Sequence, residues 1–333
     1  MLEAVQTRPG PTPDPRGPIL LSKVLRKGRP QTMNPSARRL FPALAGSRRI
    51  TLSRWPQRPA PEKERSVLTV MSANLCHDWP RYRRWAERLE SFANLVEREK
   101  ADVLLLQEVA RTRRFQADLW IAQRLGMAYA YSKANGHEKG IGFEEGVAVF
   151  SRYPLDAPRL HVLGRGSVPF VRRIALGVTI QTPFGRILAF SAHLGILPFE
   201  NKVQVRQLSS WIGRMAGRRP ALIGGDFNAA EDAPQMRRIR EEWIDTFRRL
   251  HPEADGTTHE LRWPWGGSIR RRRLDYLFLR PGRTAWSVVE SRHVRASPRP
   301  YSDHDAVVLR LRPAGPELDR VGVSGDSGSR DRT

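Results

Sequence analysis

An α/β fold is what this sequence predicts, and three observations carry that prediction. Short apolar runs alternate with stretches whose apolar residues recur at three- and four-residue steps. Run after run ends on an oxygen- or nitrogen-bearing side chain. The clearest case is Ile223-Gly224-Gly225-Asp226-Phe227-Asn228-Ala229, where the apolar run Ala221-Leu222-Ile223, bounded by Pro220 and the glycine pair, reads as a strand covered on both faces. Asp226 and Asn228 lie two apart, so in extended backbone they point the same way. A carboxylate beside a carboxamide suits a hard cation or a phosphate-bound water; taken alone, the same residues also suit a turn at a strand end.

The folded part begins, on this reading, at Val67, with a strand that ends at Asn74. From Tyr82 to Val96, residues Trp85, Leu89, Phe92, Leu95 and Val96 form one apolar stripe, the pattern of a helix. Ala101 to Leu106 is a second buried strand, closed by Gln107 and Glu108. Strand, helix and strand of this size make a crossover with parallel strands, which brings Asn74 and Glu108 to one sheet edge, where ligands of open α/β sheets gather.

A helix over Arg114 to Leu125 leads through Tyr129-Ala130-Tyr131 to a charged, glycine-containing loop, Lys133 to Glu144. Glu145 to Arg152 is the next strand. Arg173 to Ile180 and Ile187 to Leu194, joined by Thr182-Pro183-Phe184-Gly185, read as a hairpin whose second strand delivers His193. Glu200 to Met215 is an amphipathic helix feeding the Asp226 strand. After an irregular stretch come strands at Leu274 to Leu279, with Asp275 at the opening, at Trp286 to Val294, and at Ala306 to Leu311, the last preceded by Asp303 and His304.

The first 65 residues hold 14 Lys or Arg against 4 Asp or Glu, are rich in Pro and show no sustained period, so residues 1–65 are expected to be a disordered basic leader. Residues 66–313 form the expected domain and 314–333 a polar tail. Of the formal net charge of +23, the leader carries +10 and the remainder +13. A basic body favours an anionic partner; an Arg-rich genomic habit accounts for it equally well. The only cysteine, Cys76, excludes an internal disulfide and a cysteine-based zinc site and agrees with a reducing, cytoplasmic compartment. Arg38-Arg39 followed by Phe41 to Gly46 faintly resembles a twin-arginine export signal, but its apolar part is short. Met33 offers an alternative start.

Asn74, Glu108, Glu145, His193, Asp226, Asn228, Asp275, Asp303 and His304 all fall beside strand ends. Each alone is more often a cap or surface group. Together, without a nucleophilic Ser or Cys motif, they suit metal-assisted attack of water on phosphorus.

Asn74, Gln107-Glu108, Ser191-Ala192-His193-Leu194, Gly225-Asp226-Phe227-Asn228, Leu274-Asp275-Tyr276 and Ser302-Asp303-His304 occur in the order and spacing of the endonuclease/exonuclease/phosphatase superfamily, which the chain resembles from Val67 to Leu311. The resemblance implies a deoxyribonuclease I-like, four-layer sandwich of two mixed sheets flanked by helices. It implies a metal-dependent phosphoesterase with Mg2+, or alternatively Mn2+, held by Glu108 with Asn74 and Asp303. His304 would be the general base, oriented by Asp275, with Asp226 and Asn228 positioning water and phosphoryl oxygens. His193 would bind phosphate or protonate the leaving oxygen, with Glu145 as its carboxylate partner. Arg173, or Arg172 if the register slips by one, would offset transition-state charge. Apurinic endonucleases carry a tyrosine where this chain has His193 and an acid where it has Cys76, so the pattern is closer to the deoxyribonuclease, sphingomyelinase and phosphatase branches.

Trp263 to Arg273 runs into Asp275, and is expected to form a loop beside the site. Its Trp263, Trp265, Arg270 and Arg271 suit a nucleic-acid backbone and its bases, or an anionic membrane surface, or simply a solvated loop. Trp79 and Trp85 are expected to pack locally. The expectation is therefore a monomeric phosphodiesterase acting on nucleic acid. Its alternatives are a phospholipid or inositol phosphate esterase, and a non-catalytic nucleic-acid or membrane adaptor.

Overall fold

The computed structural model describes residues 50–53, 66–164, 171–263, 265, 267–283 and 285–314, so most of the expected leader and all but the first residue of the expected tail lie outside the described residues. In chain order the first elements are β1 (Ile50–Ser53), β2 (Leu68–Asn74), α1 (Trp85–Glu99), β3 (Val103–Thr112), α2 (Ala117–Leu125), β4 (Ala128–His137), α3 (Glu138–Ile141) and β5 (Phe143–Ser151). Next come β6 (Leu155–Val162), β7 (Ile174–Thr182), β8 (Gly185–His193), α4 (Pro198–Ala216), β9 (Ala221–Asp226), α5 (Pro234–Glu242), β10 (Ile244–Asp245) and α6 (Thr246–Leu250). The last are β11 (His259–Arg262), β12 (Ser268–Arg272), β13 (Asp275–Arg280), β14 (Trp286–Val294) and β15 (Ala306–Pro313).

One sheet runs β1-β4-β5-β3-β2-β15-β14 and the other β10-β13-β9-β8-β7-β6; neither closes on itself. Each is mixed, with one parallel pair: β2 with β3, and β8 with β9. Parallel neighbours need a crossover, supplied here by α1 and α4. The crossovers bring Asn74 beside Gln107, at the bulge within β3, in the first sheet, and His193 beside Asp226 in the second.

Side-chain alternation builds four layers. Val70, Leu105, Val149 and Leu309 of the first sheet meet Leu176, Ala189, Leu222 and Leu277 of the second in an inner core. Their neighbours Met71, Leu104, Leu106 and Val308 face outward onto Leu89, Phe92 and Val96 of α1 and Ile121 of α2. On the other side Leu188, Phe190, Ile223 and Phe278 face Leu208, Trp211 and Ile212 of α4 and Met236 of α5. Strands buried on both faces explain why these segments read as unbroken apolar runs. The architecture is the two-sheet, helix-flanked sandwich the resemblance implied.

Four local differences bear on the site. The first sheet reaches back to Ile50–Ser53, inside the expected leader, because this short strand pairs antiparallel with β4 through its backbone. The expected Lys133 to Glu144 loop is mostly paired: β4 continues to His137 against β5, past an irregularity between Lys133 and Asn135. Leu155–Val162, interrupted by Pro158, is an edge strand of the second sheet. The Trp263 to Arg273 region is largely a hairpin of β11 and β12. Among the described residues no helix is long and apolar enough to cross a membrane.

Gly224 and Gly225 let these layers close beneath the strand end. A Cβ at Gly224 would lie 2.7 Å from Leu105 Cδ1 in the facing sheet, and one at Gly225 2.2 Å from the Ala192 carbonyl oxygen.

Candidate active site

Register alone sets out half of the site. His193 is the β8 partner of Asp226, and Asp275 is its β13 partner, so the three side chains form a row across the edge of the second sheet. Arg173, which immediately precedes β7, extends the row: its Nη1 lies 2.9 Å from His193 Nε2. Buried amides hold this edge together. Asn201 of α4 donates to the Gly195 and Phe227 carbonyls at 2.7 and 2.6 Å, and Gln204 accepts from the Gly195 N–H at 2.7 Å.

The first sheet supplies the facing groups. Asn74 Nδ2 donates to Glu108 Oε1 and to Asp226 Oδ2, both at 3.1 Å, so one carboxamide stitches the two sheets together. Glu108 does not simply end its strand. It sits at φ +54° where β3 slips register between Leu106 and Val109, a bulge that aims its carboxylate into the cleft. The His77 N–H donates to Glu108 Oε2 at 3.2 Å, and His77 Nε2 stands 3.5 Å from that oxygen. Behind them, Gln107 Nε2 donates to Ser191 Oγ at 3.0 Å, a further bond between sheets.

His304 Nδ1 lies 2.8 Å from Asp275 Oδ2, which also accepts from Thr258 Oγ1 at 2.7 Å. Thr258 Oγ1 in turn accepts from the Leu274 and Asp275 N–H groups at 3.0 and 3.1 Å. Asp275 Oδ1 is buried and, among the described residues, has no hydrogen-bond partner.

Burial and mutual charge shift these groups. Burial pushes Asp226 up to about 7, against the pull of His304 and helped by Asp275. For His304, burial opposes the charged form, but Asp275 and Asp226 outweigh it and raise the imidazole to about 10. Burial holds His193 well below the ordinary imidazole value, and the positive charge of Arg173 adds to this. Burial also raises Glu145 to about 7, against its bond from Asn135, with Glu108 adding repulsion. Cys76 is pushed to about 12 by burial and then by Asp303 and Glu108, so its thiol stays protonated.

The structure therefore brings together Asn74, Glu108, Arg173, His193, Asp226, Asp275 and His304. Asn228 lies beside them for a different reason than extended backbone: β9 ends at Asp226, and Asn228 turns to φ +50° with its side chain donating to the Leu194 carbonyl at 3.0 Å. Its own N–H donates to Asp226 Oδ1 at 2.9 Å. Glu145 is not the partner of His193; its carboxylate bonds Asn135, whereas His193 faces Arg173 and, at 3.6 Å, Asp226. The fallback Arg172 is engaged through its backbone N–H, which donates to Asn135 Oδ1 at 2.5 Å. Asp303 is half exposed and turns toward His259, Nε2 to Oδ2 3.7 Å, and toward the Cys76 thiol.

The β11–β12 hairpin hangs from the site, since Thr258 and His259 touch Asp275 and Asp303. At its turn Trp263 and Trp265 stack at 5.0 Å and are 48% and 79% exposed. Arg270 and Arg271 are exposed on β12, and Arg271 pairs with Asp255 at 2.5 Å. Arg273 differs from them. It is buried and clamps Asp245 through two bonds of 2.8 and 2.6 Å, so it belongs to the body and not to a substrate loop. Trp79 stacks on Phe143 at the cleft rim, and Trp85 packs against the α1 core.

Asp226, Asp275 and His304 each offer a ligand-capable atom within 4.8 Å of the others, the Asn74 amide joins Asp226 to Glu108, no Lys or Arg bonds to these carboxylates among the described residues, and Asp275 Oδ1 is unpartnered. Such a set of hard oxygen donors fits a divalent cation. His77, Thr258, Asn201 and His259 were missed by sequence reasoning: they lie in loops, at element starts or on a helix, and their partners are remote in sequence.

Three comparisons extend these observations. The family model described as "Endonuclease/Exonuclease/phosphatase family" matches residues 71–304, more than half of the chain. No curated protein sequence matches. Among solved structures, an endonuclease/exonuclease/phosphatase from Beutenbergia cavernae is similar at 24% identity and TM-score 0.61, over 75% of this chain and 72% of that one. The human Nocturnin catalytic domain with bound sulfate is similar at 19% identity and TM-score 0.60, over 75% and 96%. The D. rerio TDP2 structure with a single-strand DNA product is similar at 17% identity and TM-score 0.59, over 74% and 100%. These likenesses concern the fold, and the family model spans the segments that deliver Asn74 of β2 through His304: the chain belongs to the endonuclease/exonuclease/phosphatase family, whose members are generally hydrolases of phosphoesters.

Proposed function

We propose that the protein is a divalent-cation-dependent phosphodiesterase that cleaves nucleic acid by attack of an activated water. One observation carries this reading: Asn74 and Glu108 from one sheet and His193, Asp226 and Asp275 from the other share a single edge with His304. Glu108 with Asn74 would hold Mg2+. When bound, the cation supplies charge neutralisation and Lewis acidity at a phosphoryl oxygen.

The side chains do the rest. Asp275 accepts from His304 Nδ1, which fixes the tautomer and leaves Nε2 to take a proton from water. His304 must first release the proton that its carboxylate neighbours favour, and it does so more readily once positive charge stands beside Asp226. Asp226 and Asn228 orient the water and the phosphoryl oxygens. His193 stays neutral and accepts from Arg173, so this pair is better suited to binding a phosphate than to protonating a leaving group.

The nucleic-acid preference draws on the basic body and on the exposed, stacked indoles beside Arg270 and Arg271. The product bound to TDP2 and the sulfate bound to Nocturnin show what this fold accommodates elsewhere. A second reading, a phospholipid or inositol phosphate ester, is favoured by the 80% exposed Phe199 and the 79% exposed Trp265, which suit a membrane interface.

Turnover of supercoiled plasmid, a generic phosphodiester, sphingomyelin and phosphatidylinositol, with Mg2+ or with EDTA, tests these readings. Wild type is expected to cleave plasmid only with the cation, and His304→Ala to lose about 100- to 10,000-fold. Equal behaviour of both proteins on every substrate would leave the adaptor reading in its place.

A further inference from the structure

On the hairpin side of the cleft stands a cluster that the proposed hydrolysis does not use as a unit. His259, the first residue of β11, forms a backbone bridge with His304, and the two rings lie 4.6 Å apart at 45°. One ligand-capable atom from each of His259, Asp303 and His304 lies within 4.8 Å of the others. His304 commits Nδ1 to Asp275, which leaves Nε2 facing away from that carboxylate. A carboxylate behind an imidazole is the usual outer partner of a metal-bound histidine.

Donor chemistry separates this cluster from its neighbour. Glu108 offers carboxylate oxygen, which suits Mg2+, with the Asn74 amide beside it. Two imidazoles and one carboxylate form a set that Mg2+ takes poorly and Zn2+ takes well, with three protein ligands and one open position. The carboxylates of Asp226 and Asp275 add negative potential on the side of His304.

We propose that His259, Asp303 and His304 form a transition-metal site, that Zn2+ is the ion it fits, and that Zn2+ bound there occupies His304 Nε2 and halts hydrolysis. The inhibitory half rests on the function proposed above; the binding half does not.

Tag-free full-length protein is titrated with Co2+ as a visible spectroscopic probe, then with Zn2+ as competitor. His259→Phe keeps a ring against His304 and removes the donor nitrogen; Asp303→Asn keeps the volume and covers the case in which the first change disturbs the hairpin. Wild type is expected to show a Co2+ absorption band that Zn2+ discharges and excess Mg2+ does not, with affinity at least about tenfold lower in each variant. Equal affinity in all three proteins, or no band in wild type, would overturn the site.

With plasmid and Mg2+, added Zn2+ should stop wild type, whereas His259→Phe, active in Mg2+ alone, should need at least about tenfold more Zn2+. Weakened binding in His259→Phe with unchanged inhibition would overturn the link to His304. Metal binding that depends on His259 and Asp303, in a protein that hydrolyses nothing, would support the site and sink the phosphodiesterase reading instead.

Discussion

Asp226 and Asp275 are direct partners across β9 and β13, so two carboxylates point to the same buried edge. Like charges so placed repel, and burial keeps water from screening them. The fold tolerates this arrangement because Thr258, Asn74 and His304 supply hydrogen bonds to it. Asp226→Asn would remove one charge at nearly constant volume.

The pH dependence of stability follows from these shifts. Asp226 moves up from the ordinary carboxylate range to about 7, and His304 up to about 10, so each binds its proton more tightly folded than unfolded. The stability they contribute is fully present below their unfolded values and is lost as pH rises through about 4 to 7 and about 6.5 to 10. In EDTA, wild type is therefore expected to melt several degrees lower at pH 8 than at pH 6, with a smaller drop in Asp226→Asn. Identical pH profiles would mean that Asp226 is not protonated in the folded protein.

Below the hairpin, Arg273 and Asp245 are both buried, and Glu231 joins them by accepting from Arg273 and Arg248. The bond from Arg248, outweighing partial burial, holds Glu231 down at about 2. Removing Asp245 takes two of the three charged bonds from buried Arg273 and leaves it the 3.1 Å bond to Glu231. Asp245→Ala should cost about 3–5 kcal/mol in urea unfolding, whereas Arg271→Ala, at an exposed pair, should cost about 1 kcal/mol or less. Similar losses for the two would show that water reaches Asp245.

His293 gives the opposite sign. Its ring stacks on Phe247 at 4.1 Å and its Nε2 is buried with no hydrogen-bond partner among the described residues. Burial, with the charge of Arg273, lowers it to about 3. The folded protein thus stays neutral at His293 where the unfolded chain takes a proton, and stability is lost as pH falls from about 6.5 toward 3. His293→Phe should be more stable than wild type at pH 5, with the gap narrowing by pH 7.5. A gap that does not change with pH would place a proton on the folded imidazole.

Much of this site was legible because its residues punctuate apolar runs. Asn74, His193, Asp226 and Asp275 each stand where a doubly buried strand begins or ends, and the parallel crossovers dictate that Asn74 shares an edge with Gln107-Glu108 and His193 with Asp226. Which side chain meets which was not legible. The resemblance pairs Glu145 with His193, but Glu145 lies in the first sheet opposite Asn135 of β4, whereas His193 lies in the second. A bulge leaves no periodic mark, so Glu108 reads as a plain strand end. Ile50–Ser53 is too short for a period to show, and the strand takes its stability from β4. Arg273 reads like its neighbours because composition does not distinguish an exposed arginine from one clamped on a buried aspartate.

The exposed arginines of β12 make a separable prediction. If Arg270 and Arg271 meet a polyanion, replacing both by Gln removes two charges that neutralise phosphates. The slope of log affinity against log salt then falls by about 0.7 to 0.9 for each phosphate left unneutralised. Binding of single-stranded and duplex oligonucleotides at several salt concentrations measures it. An unchanged slope would take the hairpin out of the substrate path and favour the lipid reading.

Glu108 supplies the sharpest separation of fold from function. Glu108 sits at φ +54°, and a non-glycine residue in the left-handed region costs about 1–2 kcal/mol. Glu108→Gly relieves that strain, Glu108→Gln preserves shape, and both remove the carboxylate. Glu108→Gly is expected to melt within a few degrees of wild type in EDTA, since relief of strain offsets the missing bonds from Asn74 and His77. Mg2+ at about 100 times its Kd should stabilise wild type by about 2.7 kcal/mol and either variant hardly at all. If Mg2+ stabilised Glu108→Gln as much as wild type, the cation would have to sit elsewhere, and the oxygen-donor position beside Asn74 would lose its assignment.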